Sequence, residues 1–222
     1  MPRYNGSTEA QLQSEAAMMP LAVAIAGAAT SSGGGAVVAL ISSVRREGTT
    51  SVAAALGSAF ERGLSRPVAI IDVNLYAPRL HEIHGLPSGP GLVDVLRGDS
   101  TLQSALNVTG SGLLAILTAG RMMPGDHSLL VNSRRLGVLL DRIRAEGFEF
   151  CLLDCPAVLP SPDATLLATQ ADATFLVTKA EQTRWEVLRK AASQLTNGGA
   201  QLRGTILNHY RAHLPSFLDR HL

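Results

Sequence analysis

The chain has 222 residues, 46% of them hydrophobic and 17% charged, with a formal net charge of +1. That is enough chain for one sizeable hydrophobic core and short for two, so a single main domain is expected. A near-neutral balance with no long basic run argues against a surface that neutralises nucleic-acid phosphates, and no nucleic-acid partner is expected.

Residues 1–7 are polar. From Thr8 a helix is predicted through Met18, with Pro20 either opening a second helix in its first turn or kinking the first. Residues Ala16 to Val44 carry no charged side chain, which raises the question of a membrane span. Thr30-Ser31-Ser32-Gly33-Gly34-Gly35 would break such a helix near its middle, and the second half is needed as a strand, so no span is predicted. Glu9 and Glu15 ahead of the apolar run, with only Arg3 positive, do not make a signal peptide. Residues 1–35 are therefore read as a helical and flexible N-terminal segment, and residues 36–222 as the main domain.

That domain opens with the apolar run Ala36 to Leu40, the small-residue turn Ser42-Ser43-Val44-Arg45-Arg46-Glu47-Gly48-Thr49-Thr50-Ser51, and Val52-Ala53-Ala54-Ala55-Leu56. Strand, turn and helix start in that order make a phosphate site, because unpaired backbone N–H groups and the helix dipole converge on one spot. A working loop of this kind needs Gly at its tight turns, Lys for the β- and γ-phosphates, and Ser or Thr on magnesium. Here Gly48 and the hydroxyl pair Thr50-Ser51 are in place, Thr49 stands where the Lys belongs, and Arg46 stands where Gly lets backbone approach phosphate. An ordinary hydroxyl-rich helix cap would look much the same over these residues alone.

Downstream, the loop helix should run to about Arg62. Pro67 to Asp72 and Phe148 to Asp154 then read as apolar strands that each end in a carboxylate. Leu113 to Leu117, Ala173 to Val177 and Leu202 to Leu207 are further strands; Ser128 to Ala145 and Gln182 to Leu195 are helices, and a short terminal helix follows. This alternation predicts an α/β fold, a doubly wound and mostly parallel sheet with helices on both faces and its site at the carboxyl ends of the strands. Cys151 and Cys155 have neither redox-pair nor zinc spacing and read as reduced thiols. The pairs His81/His84 and His209/His213 lack a carboxylate or Cys partner at ligand spacing and read as solvated or helix-end histidines.

Five motifs in register give a family resemblance from about Val37 to the C-terminus. They are the loop above, Asp72-Val73-Asn74-Leu75-Tyr76-Ala77-Pro78, Gly91-Leu92-Val93-Asp94-Val95-Leu96-Arg97-Gly98, Thr118-Ala119-Gly120 and Asp154-Cys155-Pro156-Ala157. The chain resembles the cytoplasmic kinase domain of bacterial tyrosine kinases that serve capsule and exopolysaccharide export, a branch of the MinD/ParA-like P-loop ATPases. Their pattern is a P-loop SSxxPGEGKST, then DxDxRxP, GLxxVLxG, a PAG-like turn and a Walker B strand ending DxPP.

The resemblance implies ATP and magnesium as cofactors, expected here to bind weakly or not at all, with Ser43, Arg46, Glu47, Gly48, Thr49, Thr50 and Ser51 around any residual nucleotide site and, if nucleotide binds, Thr50, Asp72 and Asp154 around magnesium. It also exposes three departures: Thr49 for the phosphate Lys, Asn74 for the second carboxylate and Tyr76 for an Arg. Of the E-x-x-R-x-x-R stretch with which these kinases form rings, only Glu15 is kept, with Met18 and Leu21 at the arginine positions, and of their tyrosine-rich tail only Tyr210 lies near the C-terminus.

The expected function is therefore a catalytically degenerate kinase-like protein acting in exopolysaccharide or capsule export. It is expected to be cytoplasmic, peripheral at the inner membrane, docked on the cytoplasmic face of a polysaccharide co-polymerase, and open to homo-oligomers other than the kinase ring. Met18 to Ile25 is the nominated docking surface. Two alternatives stand beside it: an active ATPase or tyrosine autokinase with an unorthodox loop, and a MinD/ParA-like positioning protein, which would need a Lys where Val44 stands.

Overall fold

The computed structural model describes residues 9–29, 35–131 and 133–209. Seven strands form one sheet: β1 (Ala36–Ser42), β2 (Val68–Asp72), β3 (Leu106–Val108), β4 (Leu114–Leu117), β5 (Phe150–Asp154), β6 (Ala173–Lys179) and β7 (Leu202–Asn208). Their order is β3-β4-β2-β5-β1-β6-β7, with β3 antiparallel to β4 and every other pairing parallel. The doubly wound sheet expected from the alternation of elements is present.

β1 is central, and alternate residues along a strand point to opposite faces. Val37, Ala39 and Ile41 pack with Leu136, Leu139, Leu140 and Ile143 of α7 (Ser133–Ala145) and with Ala191 and Leu195 of α9 (Trp185–Asn197). Val38 and Leu40 pack on the other face with Val52 and Leu56 of α2 (Thr49–Ser58) and with Ala22 and Ile25 of α1 (Glu9–Ala28). Cover on both faces is why the central strands are apolar runs.

α1 is one helix that continues through Pro20. Ala22 and Ile25 are fully buried, so most of the segment nominated as a docking surface seals this protein's own sheet; Val23 alone of its large side chains stays more than half exposed, at 55%. α2 runs on as a π-helical turn, Ala59–Gly63, close to the predicted end at Arg62. The helix predicted over Ser128 to Ala145 is described as α6 (His127–Val131) and α7 (Ser133–Ala145), with residue 132 between them outside the described residues. Residues 30–34, which hold most of the Thr30 to Gly35 stretch expected to break the helix, and the expected C-terminal helix with Tyr210 and His213, lie outside the described residues. None of the described helices is long and apolar enough to cross a membrane.

The Gly91 to Gly98 block is a structural knot around α4 (Leu92–Arg97). Leu92 and Val93 donate backbone N–H to Thr118 and Ala119 at 2.8 and 2.9 Å. The approach is so close that a Cβ on Gly91 would stand 2.4 Å from the Thr118 carbonyl oxygen and 2.5 Å from the Gly120 nitrogen. One oxygen of buried Asp94 accepts from the N–H groups of Gly91 and Arg121, at 2.8 and 3.0 Å. Arg97 closes the knot by pairing with Asp94 at 2.9 Å, Asp99 at 2.7 Å and Asp126 at 2.6 Å.

Candidate functional site: a phosphate cleft at the carboxyl edge

β1 ends in the loop 43–48, which leads into α2 at Thr49. The loop turns through two left-handed residues, Arg46 at φ 70° and Gly48 at φ 92°. Gly48 suits that conformation, while a side chain there costs roughly 1–2 kcal/mol. Arg46 thus sits in backbone shaped for glycine, with its side chain exposed.

Glu47 anchors the loop from beneath. It is 2% exposed. One carboxylate oxygen accepts from the Val44 N–H at 2.9 Å; the other accepts from the hydroxyls of Thr183 and, at 3.4 Å, Thr178. Asn208, at the end of β7, donates to the Glu47 carbonyl at 2.9 Å. The Glu47 side chain is therefore turned into the domain, and Ser43, fully buried with its hydroxyl unpartnered among the described residues, is likewise absent from the cleft wall.

The cleft itself has a volume of about 490 Å³. Five of the residues expected around a nucleotide line it together: Arg46, Gly48, Thr49, Thr50 and Ser51. Arg45, Arg79, Asn74 and Tyr76 line it as well. Arg45, Arg46 and Arg79 are exposed, and Arg79 pairs with Glu82 at 3.1 Å. The rim is therefore rich in guanidinium charge even though Thr49, at the helix start, is neutral.

Asp72 and Asp154 are register partners on adjacent β2 and β5, both fully buried at the carboxyl edge beside the loop. Asp72 accepts backbone N–H from Asn74, Arg79 and Leu80 at 3.1 to 3.2 Å. Burial nonetheless pushes its carboxyl up to about 6, the three backbone donors opposing. Among the described residues, neither oxygen of Asp154 receives a hydrogen bond of good geometry. Its pKa is raised well above the carboxylate range by burial first and by the charge of Asp72 second, and the Thr50 hydroxyl offsets only part of this. Two buried oxygens without a partner among the described residues, with a second carboxylate and a hydroxyl beside them, are donors of the kind a hard divalent cation takes, and Thr50, Asp72 and Asp154 would be the residues to hold one.

Tyr76 spans the cleft wall. Its hydroxyl donates to Asp163 at 2.9 Å, and its ring lies 4.5 Å from that of His127. Burial, then the bond to Asp163, raises the Tyr76 pKa, with Arg45 opposing. Asp163, Thr183 and Asn208 were not anticipated from sequence, since each meets its partner only through the fold.

This geometry coincides with a clear kinship. EpsB of Ralstonia nicotianae is 29% identical over 161 residues, which are 72% of this chain and 21% of EpsB. The tyrosine-protein kinase YwqD of Bacillus subtilis is 28% identical over 169 residues, 76% of this chain and 70% of YwqD. The kinase domain of VpsO superposes with a TM-score of 0.80 at 27% identity, covering 91% of this chain and 97% of that domain. The chain is a homologue of bacterial tyrosine-protein kinases. It spans about a fifth of EpsB, so the whole activity of that longer protein does not transfer with the match. MinD of Pyrococcus horikoshii, solved with Mg-ADP, is similar at a TM-score of 0.66 and 27% identity, covering 79% of this chain and 70% of MinD. No protein-family model matches the chain.

Proposed function

We propose that this chain is a kinase-like protein of weak or absent phosphoryl-transfer activity that acts in exopolysaccharide or capsule export by docking on the cytoplasmic face of a membrane co-polymerase. The observation that carries the reading is Thr49. It opens α2, is 7% exposed, and stands where the phosphate-binding Lys of such loops belongs. The chain's lysines are Lys179 and Lys190, and neither lines the cleft.

Phosphoryl transfer depends on positioning and on neutralising charge as it develops. Removing one transition-state donor from a dry site costs about 100- to 1,000-fold in rate. Here a Lys and, at Asn74, a carboxylate are both replaced. What supports residual anion binding is the preserved backbone: a loop with Gly48 in its left-handed turn, a helix N-terminus and an arginine rim.

A second reading, an active ATPase or tyrosine autokinase, draws on that same rim, because Arg45, Arg46 and Arg79 line the cleft and supply cations from outside the helix. Calorimetric titration with ATP and magnesium separates the two. Binding weaker than about 100 µM, or none, is the expected result. A low-micromolar affinity would favour the active enzyme.

A further inference from the structure

α4 and α7 leave between them a groove of about 410 Å³ on the face of the domain opposite α1 and α2. Val95, Leu96 and Leu139 supply its apolar lining, and Val138 stands at it 56% exposed. Arg134, Arg135 and Arg142 complete the lining, which contains no carboxylate. All three arginines are exposed. Arg135 reaches the Leu96 carbonyl at 3.4 Å, whereas Arg134 and Arg142 have no partner among the described residues.

The contrast with Arg144 on the same helix is informative. Arg144 is pinned by the Gly35 carbonyl at 2.7 Å, Asp141 at 2.9 Å and Asp172 at 3.0 Å. The nearby acids are spoken for, since Asp94 and Asp99 pair with Arg97 and Asp141 with Arg144. The groove thus keeps cations that the fold has not used, around apolar surface that the fold has not covered.

Residues 134, 138 and 142 follow an i, i+4, i+8 spacing and share one stripe of α7. They place Arg134 and Arg142 about 12 Å apart with Val138 between them. A partner helix that sets an aliphatic side chain in the trough meets a guanidinium at either end with carboxylates about two turns apart, and Arg–carboxylate forks are the strong version of that contact. The apolar floor is recessed, with Leu139 only 3% exposed, so a flat bilayer would reach the arginines and leave the trough empty. We propose that the α4–α7 groove docks an acidic amphipathic helix of a partner protein. This stands on the groove alone and is independent of whether nucleotide binds.

The probe is a fluorescein-labelled helical peptide bearing Leu at its centre and Glu pairs about two turns apart, titrated against the full chain by anisotropy, with amide shifts locating the contact. Saturable binding in the range of tens of micromolar is expected, weakening with salt and with shifts centred on Val138. Arg134→Glu/Arg142→Glu should weaken it about tenfold or more, Arg134→Lys/Arg142→Lys less, and the control Arg189→Glu/Arg203→Glu not at all. Equal loss in the control, no saturation by about 500 µM, or shifts elsewhere on the surface would overturn the proposal. So would phosphatidylglycerol vesicles binding through these arginines while the peptide does not, because that result identifies a membrane surface.

Discussion

Two inherited motifs of this domain have fared differently. In the α4 knot every charged group has its complement: Arg97 meets Asp94, Asp99 and Asp126, and Asp94 also takes the N–H groups of Gly91 and Arg121. At the loop edge the backbone is equally well held, by Glu47 and Asn208, yet Asp154 is buried without a hydrogen bond of good geometry among the described residues and Arg46 occupies a left-handed position. The first region is finished by its own residues. The second holds its backbone in place but leaves a buried carboxylate without a partner among the described residues, beside a neutral Thr49 at the helix start. Residues that hold the fold tend to be satisfied from within, so an unsatisfied buried group is where a further role is sought.

The largest effect should come from breaking the satisfied side. Arg97→Ala strands Asp94 and Asp126, which are 8% and 6% exposed, and loss of one partner from such a buried pair costs about 3–5 kcal/mol. Urea unfolding should show the midpoint falling by roughly 1 M or more. A shift near zero would mean that the knot is decorative and the comparison misdrawn.

On the unsatisfied side the sign reverses. The folded-state carboxyl of Asp72 is raised to about 6 from 3.8, so between those values the folded chain holds a proton that the unfolded chain has released. Stability therefore falls as pH rises through that window, and Asp154, raised by burial and by the charge of Asp72, pushes in the same direction. Asp154→Asn sacrifices no hydrogen bond of good geometry and removes a buried charge. It should stabilise the ligand-free protein at pH 7 by about 1–3 kcal/mol and flatten the pH dependence, as read by thermal unfolding from pH 4 to 8. Destabilisation at pH 7 would show that the carboxylate already has a structural partner.

The smallest effect tests the loop backbone. Arg46→Gly relieves a positive φ at the cost of unfolded-chain entropy, so a gain of no more than about 1 kcal/mol is expected. A loss beyond about 1 kcal/mol would mean that the guanidinium holds the loop.

The sheet was legible in the sequence because β2 and β5 are covered on both faces and so read as apolar runs, each stopped by an Asp. The loop was legible because Gly48 and the hydroxyls of Thr50 and Ser51 are local features. The three-residue β3 is too short to show a period. Thr183 and Asn208 hold Glu47 from 136 and 161 residues away, a relation only the fold creates. Tyr76 could be recognised in sequence as a departure, but its bond to Asp163 bridges 87 residues and could not. Arg45 and Arg46 are neighbours in the loop sequence, whereas Arg79 joins them at the cleft only through the fold, from the segment after β2.

We propose that this edge keeps the shape of a nucleotide site and lacks its phosphate-binding charge. Phosphate release from ATP with magnesium tests it most directly, measured for the wild type, Thr49→Lys and Arg46→Gly/Thr49→Lys/Asn74→Asp. Wild-type turnover at background is predicted, with nucleotide affinity improving by about 10- to 100-fold in Thr49→Lys and turnover recovering mainly in the triple variant. Wild-type turnover at ordinary kinase rates, on the order of 1–100 per second and abolished by Asp154→Ala, would contradict it and make the arginine rim the working replacement for the missing lysine.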